Sequence, residues 1–143
     1  MKIVVDTSPV GADYDVIADG LLAYNASASG RPRTSKADFA VLLRDDEGVT
    51  TGGLWGAVFS DWLFIELLYV PESLRGQDLG SQLMAKAEAH ARAQDLTGIW
   101  LDTYSFQARP FYEKLGFAVV GEIADMPPGG SRFFLSKPLK TIS

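Results

Sequence analysis

The chain has 143 residues, 47% of them hydrophobic, with a net charge of −5 and a pI near 4.7, which fits one domain spanning residues 1–143 that buries roughly two thirds of its unfolded surface. With no cysteine and a single histidine, His90, it excludes disulfides, thiolate metal sites, an enzyme-bound Cys thioester and a multi-histidine metal centre, so no metal is expected. No basic run exists to neutralise phosphates, no apolar run approaches the roughly 20 residues of a membrane span, and M-K-I-V-V-D-T lacks a signal-peptide core, so nucleic acid and membrane are excluded as partners and a cytoplasmic location is expected.

Residues 2–6 read as a first strand, and Tyr14, Ile17, Leu21 and Tyr24 fall at helical spacing within residues 13–24. Residues 25–37 (N-A-S-A-S-G-R-P-R-T-S-K-A) are polar and turn-rich and read as a loop. Two β-rich runs, 39–44 and 49–59, flank the hairpin signal D-D-E-G, and a third run, 62–70, follows the short turn Ser60-Asp61. These three predict an antiparallel meander. From Leu79, the residues Leu79, Leu83, Met84, Ala87 and Ala91 line one face of a helix ending near Asp95. His90 lies late on it and reads as flank packing. Residues 99–103 are expected to form a buried strand parallel to the one before the helix, because a strand-helix-strand unit crosses over. A short helix over about residues 107–115 tolerates Pro110 only in its first turn and stops at Gly116. Runs 117–123 and 132–136 close the sheet around D-M-P-P-G-G-S. The element order β-α-β-β-β-α-β-α-β-β describes an α/β (α+β) domain with helices packed on a mixed sheet.

The most informative stretch is F-I-E-L-L-Y-V-P-E-S-L-R-G-Q-D-L-G-S-Q-L, residues 64–83. An apolar strand breaks at Pro71, turns through a Gly-punctuated loop with one Arg, and enters an amphipathic helix. Free backbone N–H groups at a helix N-terminus suit phosphate.

With A-R-P-F-Y-E-K-L-G-F following about 25 residues later, this stretch resembles the GCN5-related N-acetyltransferases in both of their signature regions. The family's acyl-CoA loop, Q/R-x-x-G-x-G/A, aligns with Arg75, Gly76, Gln77, Asp78, Leu79 and Gly80. The second signature, F-Y-x-x-x-G-F, aligns with Phe111, Tyr112, Glu113, Lys114, Leu115, Gly116 and Phe117. The resemblance implies a mixed sheet of about six to seven strands flanked by helices, with a splay between the two central parallel strands. It implies acetyl-CoA as co-substrate, its pyrophosphate on the loop through Ser81 and its pantetheine arm along Leu68, Tyr69 and Val70. Asp78 departs from the family pattern, standing where a Gly is usual; Asp tolerates positive φ and can also cap a helix. Ser105 stands where family members often carry Asn, and its hydroxyl is expected to bond the pantetheine or cap the helix.

For the chemistry, the resemblance points to Tyr112 as the general acid for the departing thiolate, since a phenol roughly matches a thiol in pKa; the plainer alternative is packing beside Phe111. Glu66, mid-strand in an apolar run, is the candidate base. Burial there would raise its pKa, and period-2 alternation puts it on a face with Phe64, Leu68 and Val70. The alternatives are a solvent-facing or ion-paired Glu. Asp102 is the second carboxylate candidate, with capping of the next turn as its plainer role. The aromatic residues Trp55, Trp62, Trp100, Phe59, Phe106, Phe133 and Phe134 read chiefly as packing. Residues 126–130 border either the acceptor site or a symmetric contact in a homodimer. Two functions stand side by side: an N-acetyltransferase moving acetyl from acetyl-CoA to a primary amine by direct attack in a ternary complex, and a non-catalytic acyl-CoA-binding module. The acceptor, a small molecule or a peptide amine, is not legible.

Overall fold

The computed structural model describes residues 1–32, 36–106 and 108–141, in two units, Met1–Ser35 and Lys36–Ser143. In the first, residues 2–6 form no strand. Their β-branched side chains favour extended backbone, but a strand exists only when its N–H and C=O groups find a ladder partner, and among the described residues none pairs with them. Helix α1 (Gly11–Ser29) is longer than expected at both ends. The Asp13 carboxylate accepts the Val10 N–H at 3.2 Å in its first turn, and Gly30 ends it in the left-handed region at φ 67°. The loop expected from residue 25 therefore starts only after residue 29, because the alanines of N-A-S-A-S favour helix more than its Asn and Ser favour turns. Residues 33–35 of that loop lie outside the described residues.

The second unit is a six-stranded mixed sheet in the order β1-β2-β3-β4-β6-β5. The strands β1 (Ala37–Arg44), β2 (Thr50–Phe59) and β3 (Trp62–Tyr69) form the expected antiparallel meander. Asp45 organises the first turn, its Oδ1 accepting the N–H of both Glu47 and Val49 at 2.9 Å. Ser60 and Asp61, at φ 53° and 63°, make the second turn a two-residue connection of the kind that matches strand twist. Helix α2 (Leu79–Ala93) then returns the chain to β4 (Gly98–Tyr104), parallel to β3. Helix α3 (Arg109–Lys114) carries Pro110 in its first turn; the expected start at Gln107 lies outside the described residues. Strand β6 (Ser131–Pro138) pairs antiparallel with both β4 and β5 (Ala118–Ala124), so the last strand inserts between its two predecessors. No helix among the described residues is long and apolar enough to cross a membrane.

The α2 stripe buries Leu83, Met84, Ala87 and Ala91 against Leu54, Leu63, Ile65, Ile99, Leu101 and Leu135 of the sheet. Each fully buried leucine contributes about 1.5–3 kcal/mol relative to an exposed one. Gly98 is required beside Trp62, whose indole lies 2.5 Å from where a Cβ would stand.

Two features of this sheet position the site. The β3–β4 pairing runs only from Trp62↔Gly98 to Ile65↔Leu101, while β3 continues to Tyr69 and β4 to Tyr104, so the two central parallel strands diverge. One step beyond the last pair, β3 also carries a bulge: Trp55 pairs with Leu67 and Gly56 with Ile65, leaving Glu66 as the extra residue. Gly56 is needed there because a Cβ would run into the Phe64 carbonyl oxygen. The bulge reverses the parity of the strand. Leu63 and Ile65 are buried before it, and Leu68 and Val70 pack against the same core after it. The expected common face for Glu66 with Leu68 and Val70 is therefore wrong. Simple alternation holds only while the ladder has no inserted residue.

Candidate functional site

The chain leaves β3 at Pro71, makes a single 3-10 turn over Glu72–Leu74, and reaches α2 through Arg75, Gly76, Gln77 and Asp78. Gly76 sits at φ 84° and Asp78 at φ 61°, ψ 23°, both left-handed. This accounts for a Gly being suited to position 78 and for Asp being tolerated there. Asp78 is the residue before the helix, but its carboxylate makes no capping bond, so the expected cap is absent. A left-handed backbone turns the side chain away from the first-turn N–H groups that an extended N-cap would reach. The Gln82 N–H bonds the Asp78 carbonyl at 3.1 Å, whereas from Gly76 through Ser81 no backbone N–H donates to an acceptor among the described residues. These open donors lie at the positive end of a 15-residue helix, an arrangement that suits a negative charge. Arg75 braces it from the strand side, its Nε donating to the Val70 carbonyl at 3.1 Å. The Gln82 side-chain amide donates to the Gln77 carbonyl at 3.3 Å from the helix side.

The residues F-Y-E-K-L-G-F form α3 and its stop. The Phe117 N–H bonds the Tyr112 carbonyl at 3.2 Å and the Gly116 N–H bonds that of Glu113 at 3.1 Å, with Gly116 left-handed at φ 95°. This is the Schellman pattern, which needs glycine at its left-handed position and favours an apolar contact across the stop. Here that contact joins Tyr112 and Phe117, with ring centroids 6.1 Å apart edge to face. Phe111 reaches back to α2: a Cβ on Gly80 would lie 3.3 Å from its Cζ. Gly80 is therefore a close-approach position, and the two signatures meet there.

Tyr112 packs against the core beside Phe111, at 5.1 Å between centroids. Its hydroxyl has no hydrogen-bond partner among the described residues. Burial pushes its pKa above the ordinary phenol value, and the negative charge of Asp102 adds to the shift. Tyr112 therefore holds its proton through the neutral range, as an acid must.

Glu66 and Asp102 are each the first residue past the last β3–β4 pair, Ile65↔Leu101. Because Ile65 and Leu101 both point into the core, alternation places the two carboxylates on the opposite face at the crotch of the splay. Glu66 is exposed, so the expected burial of this carboxylate is contradicted; the bulge sets it at the divergence rather than inside a continuous ladder. Asp102 is partly buried and does not cap the next turn. Its Oδ1 accepts Arg132 Nε at 3.0 Å and Nη2 at 2.8 Å, and this bond raises the guanidinium pKa against the opposing effect of burial. The Arg132 guanidinium lies 5.6 Å from the Tyr104 ring centroid and 5.5 Å from that of Phe134. Sequence reasoning missed Arg132 because its link to Asp102 spans 30 residues and depends on β6 inserting beside β4.

Leu68 and Val70 are half-buried and Tyr69 is exposed. Past Ile65 the edge of β3 that faces β4 meets no strand. Ser105, just after β4, fastens the chain to β6: its N–H donates to the Ser131 carbonyl at 2.8 Å and its Oγ accepts the Ser131 N–H at 3.1 Å. His90 stacks on Phe39 at 4.5 Å, on the helix flank. A cavity of about 300 Å³ runs along α2 from Ser81, in its first turn, to Arg92, lined also by Glu88, Leu115, Phe117 and Lys137, and includes no residue of β3 or β4 beyond their last pair. Within it Lys137 Nζ donates to Glu88 Oε1 at 2.5 Å and to the Leu115 carbonyl at 2.8 Å. Among the described residues no three His, Cys, Asp or Glu side chains gather as a metal site.

Residues 19–117 match the model of the Acetyltransferase (GNAT) family. An acetyltransferase of Agrobacterium fabrum (strain C58) is 37% identical over 121 residues, 85% of this chain and 87% of its own. The blasticidin-S acetyltransferase of Streptomyces morookaense is 39% identical over 102 residues, covering 71% and 75% of the two chains. The crystal structure of an acetyltransferase from Bacillus cereus superposes with a TM-score of 0.82 at 29% identity, over 96% of this chain and 98% of that one.

Proposed function

Because the chain belongs to the GNAT family of acetyltransferases, we propose that it moves an acetyl group from acetyl-CoA to a primary amine by direct attack in a ternary complex. The observation that carries this reading is the run of open N–H donors from Gly76 to Ser81 at the mouth of the β3–β4 splay. A pyrophosphate takes those donors, with the helix dipole and Arg75 adding positive charge. The pantetheine arm runs along the unpaired edge of Leu68, Tyr69 and Val70 as a pseudo-strand, with the Ser105 hydroxyl as a further donor. The thioester then lies in the splay, between Tyr112 on one side of the sheet and Glu66 on the other.

In the reaction, Glu66 takes one proton from the acceptor ammonium, directly or through water, and leaves a neutral amine. The nitrogen attacks the thioester carbonyl carbon, the C–S bond breaks, the sulfur leaves with the proton of Tyr112, and the second proton shed by the new amide nitrogen restores the phenol. Most of the acceleration comes from holding amine and thioester in line. The chain has no cysteine for an acyl-enzyme, which favours direct attack. That its relatives are acetyltransferases favours catalysis over binding alone. The 39%-identical blasticidin-S acetyltransferase supports a small-molecule acceptor over a peptide.

Release of free CoA, followed with a thiol reagent over a panel of small amines, tests the reading. Tyr112→Phe is expected to lower kcat about 100-fold or more while the Kd for acetyl-CoA stays within about twofold of wild type. Tight acetyl-CoA binding with no turnover of any amine, and no effect of Tyr112→Phe, would overturn it.

A further inference from the structure

We propose that Asp102, aimed by Arg132, is the anchor for the acceptor's ammonium group, so that this enzyme selects amines that arrive as cations on the face of the sheet opposite α2. The inference rests on the acetyltransferase reading and names a residue that reading does not use.

Two observations carry it. The first is position. Asp102 is the first β4 residue beyond the last β3–β4 pair, directly across the divergence from Glu66, and on the face away from the core. An amine approaching the thioester from that side meets both carboxylates before it meets the acetyl group. The second is the way Arg132 holds it. The Arg132 Nε at 3.0 Å and Nη2 at 2.8 Å both go to the same oxygen, Oδ1. A guanidinium that served only to neutralise a carboxylate would do best as a fork, one nitrogen to each oxygen. Here the fork closes on one oxygen and leaves the other available to a donor. The Tyr104 and Phe134 rings flank the guanidinium, and Arg132 Nη1 reaches Met126 Sδ at 3.7 Å. Residues of β4, of β6 and of the turn carrying Met126 thus hold the Arg132 guanidinium against Asp102.

Division of labour between the two carboxylates follows. Glu66, exposed and held only by its bulge, takes the proton; Asp102, already bonded on one oxygen, binds. Asp102 is a specificity-determining residue and Arg132 a positioning residue.

Asp102→Asn tests this cleanly, because the amide oxygen still accepts from Arg132 while the second atom becomes a donor that repels an ammonium. With an amine found by CoA release, Asp102→Asn is expected to raise KM for the amine tenfold or more. It should change kcat less than threefold, leave the Kd for acetyl-CoA unchanged, and flatten the rise of amine KM with added NaCl. Arg132→Gln should raise the same KM, with Arg132→Lys recovering part of it, and Glu66→Gln should lower kcat instead. Asp102→Glu, which keeps the charge, should keep the salt dependence; loss of activity in both Asp102 variants with a lowered Tm would mark a purely structural residue and overturn the proposal. If wild type turns over an amine and Asp102→Asn leaves amine KM and its salt dependence unchanged, the proposal fails and acetyl transfer stands. If no amine turns over while acetyl-CoA binds, both fail together.

Discussion

Replacing Asp78 by glycine measures what the loop does with its unusual residue. Two effects act on the protein itself. The left-handed backbone at φ 61°, ψ 23° costs an L-residue about 1–2 kcal/mol, less for Asp than for most, and glycine removes that cost. Glycine also widens the unfolded ensemble, at about 0.5–1 kcal/mol, so stability should move by less than about 1 kcal/mol. The effect on the donor is electrostatic. A carboxylate at about 4 Å from a phosphate charge is repelled by about 1 kcal/mol if solvent screens the pair fully and about 4 kcal/mol at an effective dielectric of 20. Asp78 is exposed and makes no bond with the helix start, so the lower figure applies. Asp78→Gly should therefore leave the acetyl-CoA Kd equal or tighten it up to about fivefold. Any tightening should shrink between about 0.01 and 0.5 M salt as the Debye length contracts. Isothermal titration calorimetry at two salt concentrations reads this directly. Gly80→Asp is the control: it brings a carboxylate to the open donors and a Cβ to 3.3 Å from Phe111, and should weaken binding at least tenfold. A clear loss of affinity in Asp78→Gly would refute the reasoning, since it would mean that the Asp78 side chain organises the site.

Two further expectations concern titration. Burial first, and the Asp102 charge second, hold the Tyr112 pKa above the phenol value. The fold therefore favours the protonated form, and that stability, present below the unfolded-state pKa of about 10, is lost as pH rises through the folded value. Ultraviolet difference titration near 295 nm, wild type against Tyr112→Phe, should show this tyrosine ionising later than the exposed ones, and Asp102→Asn should bring it part of the way back. Glu88 runs the other way: burial opposes its charge, but the hydrogen bonds from Lys137 and Arg92 outweigh it and lower its pKa. The stability it contributes is present above the unfolded-state value and lost as pH falls through the folded one. Glu88→Gln should cost about 1 kcal/mol at pH 7 and less at pH 3, read from urea denaturation at both; an equal cost at both would refute the ionic account.

What the sequence makes legible here is local. The Ser60-Asp61 turn, the α2 stripe, the stop at Gly116 and both signatures each depend on residues within one or two turns of chain, and the structure has them where those residues require. Residues 2–6 had the composition of a strand, but composition says nothing about a ladder partner. Alternation along F-I-E-L-L-Y-V puts Glu66 on the same side as Leu68, and one inserted residue reverses that; nothing within the run marks the insertion, whose one sign is Gly56, ten residues earlier on the neighbouring strand. Arg132 was invisible for a similar reason. Its partner Asp102 is found only once β6 is known to lie between β4 and β5, an order set by the whole sheet.

The contact between Phe111 and Gly80 bears on how much two motif matches are worth. Strings thirty residues apart invite treatment as separate witnesses, each multiplying the odds supplied by the other. Here a benzyl ring in one occupies the space that a side chain would need in the other. A residue larger than alanine at position 80 needs room that the ring at position 111 must give up, so the two signatures share one packing constraint. The two matches are therefore coupled through this contact rather than wholly independent.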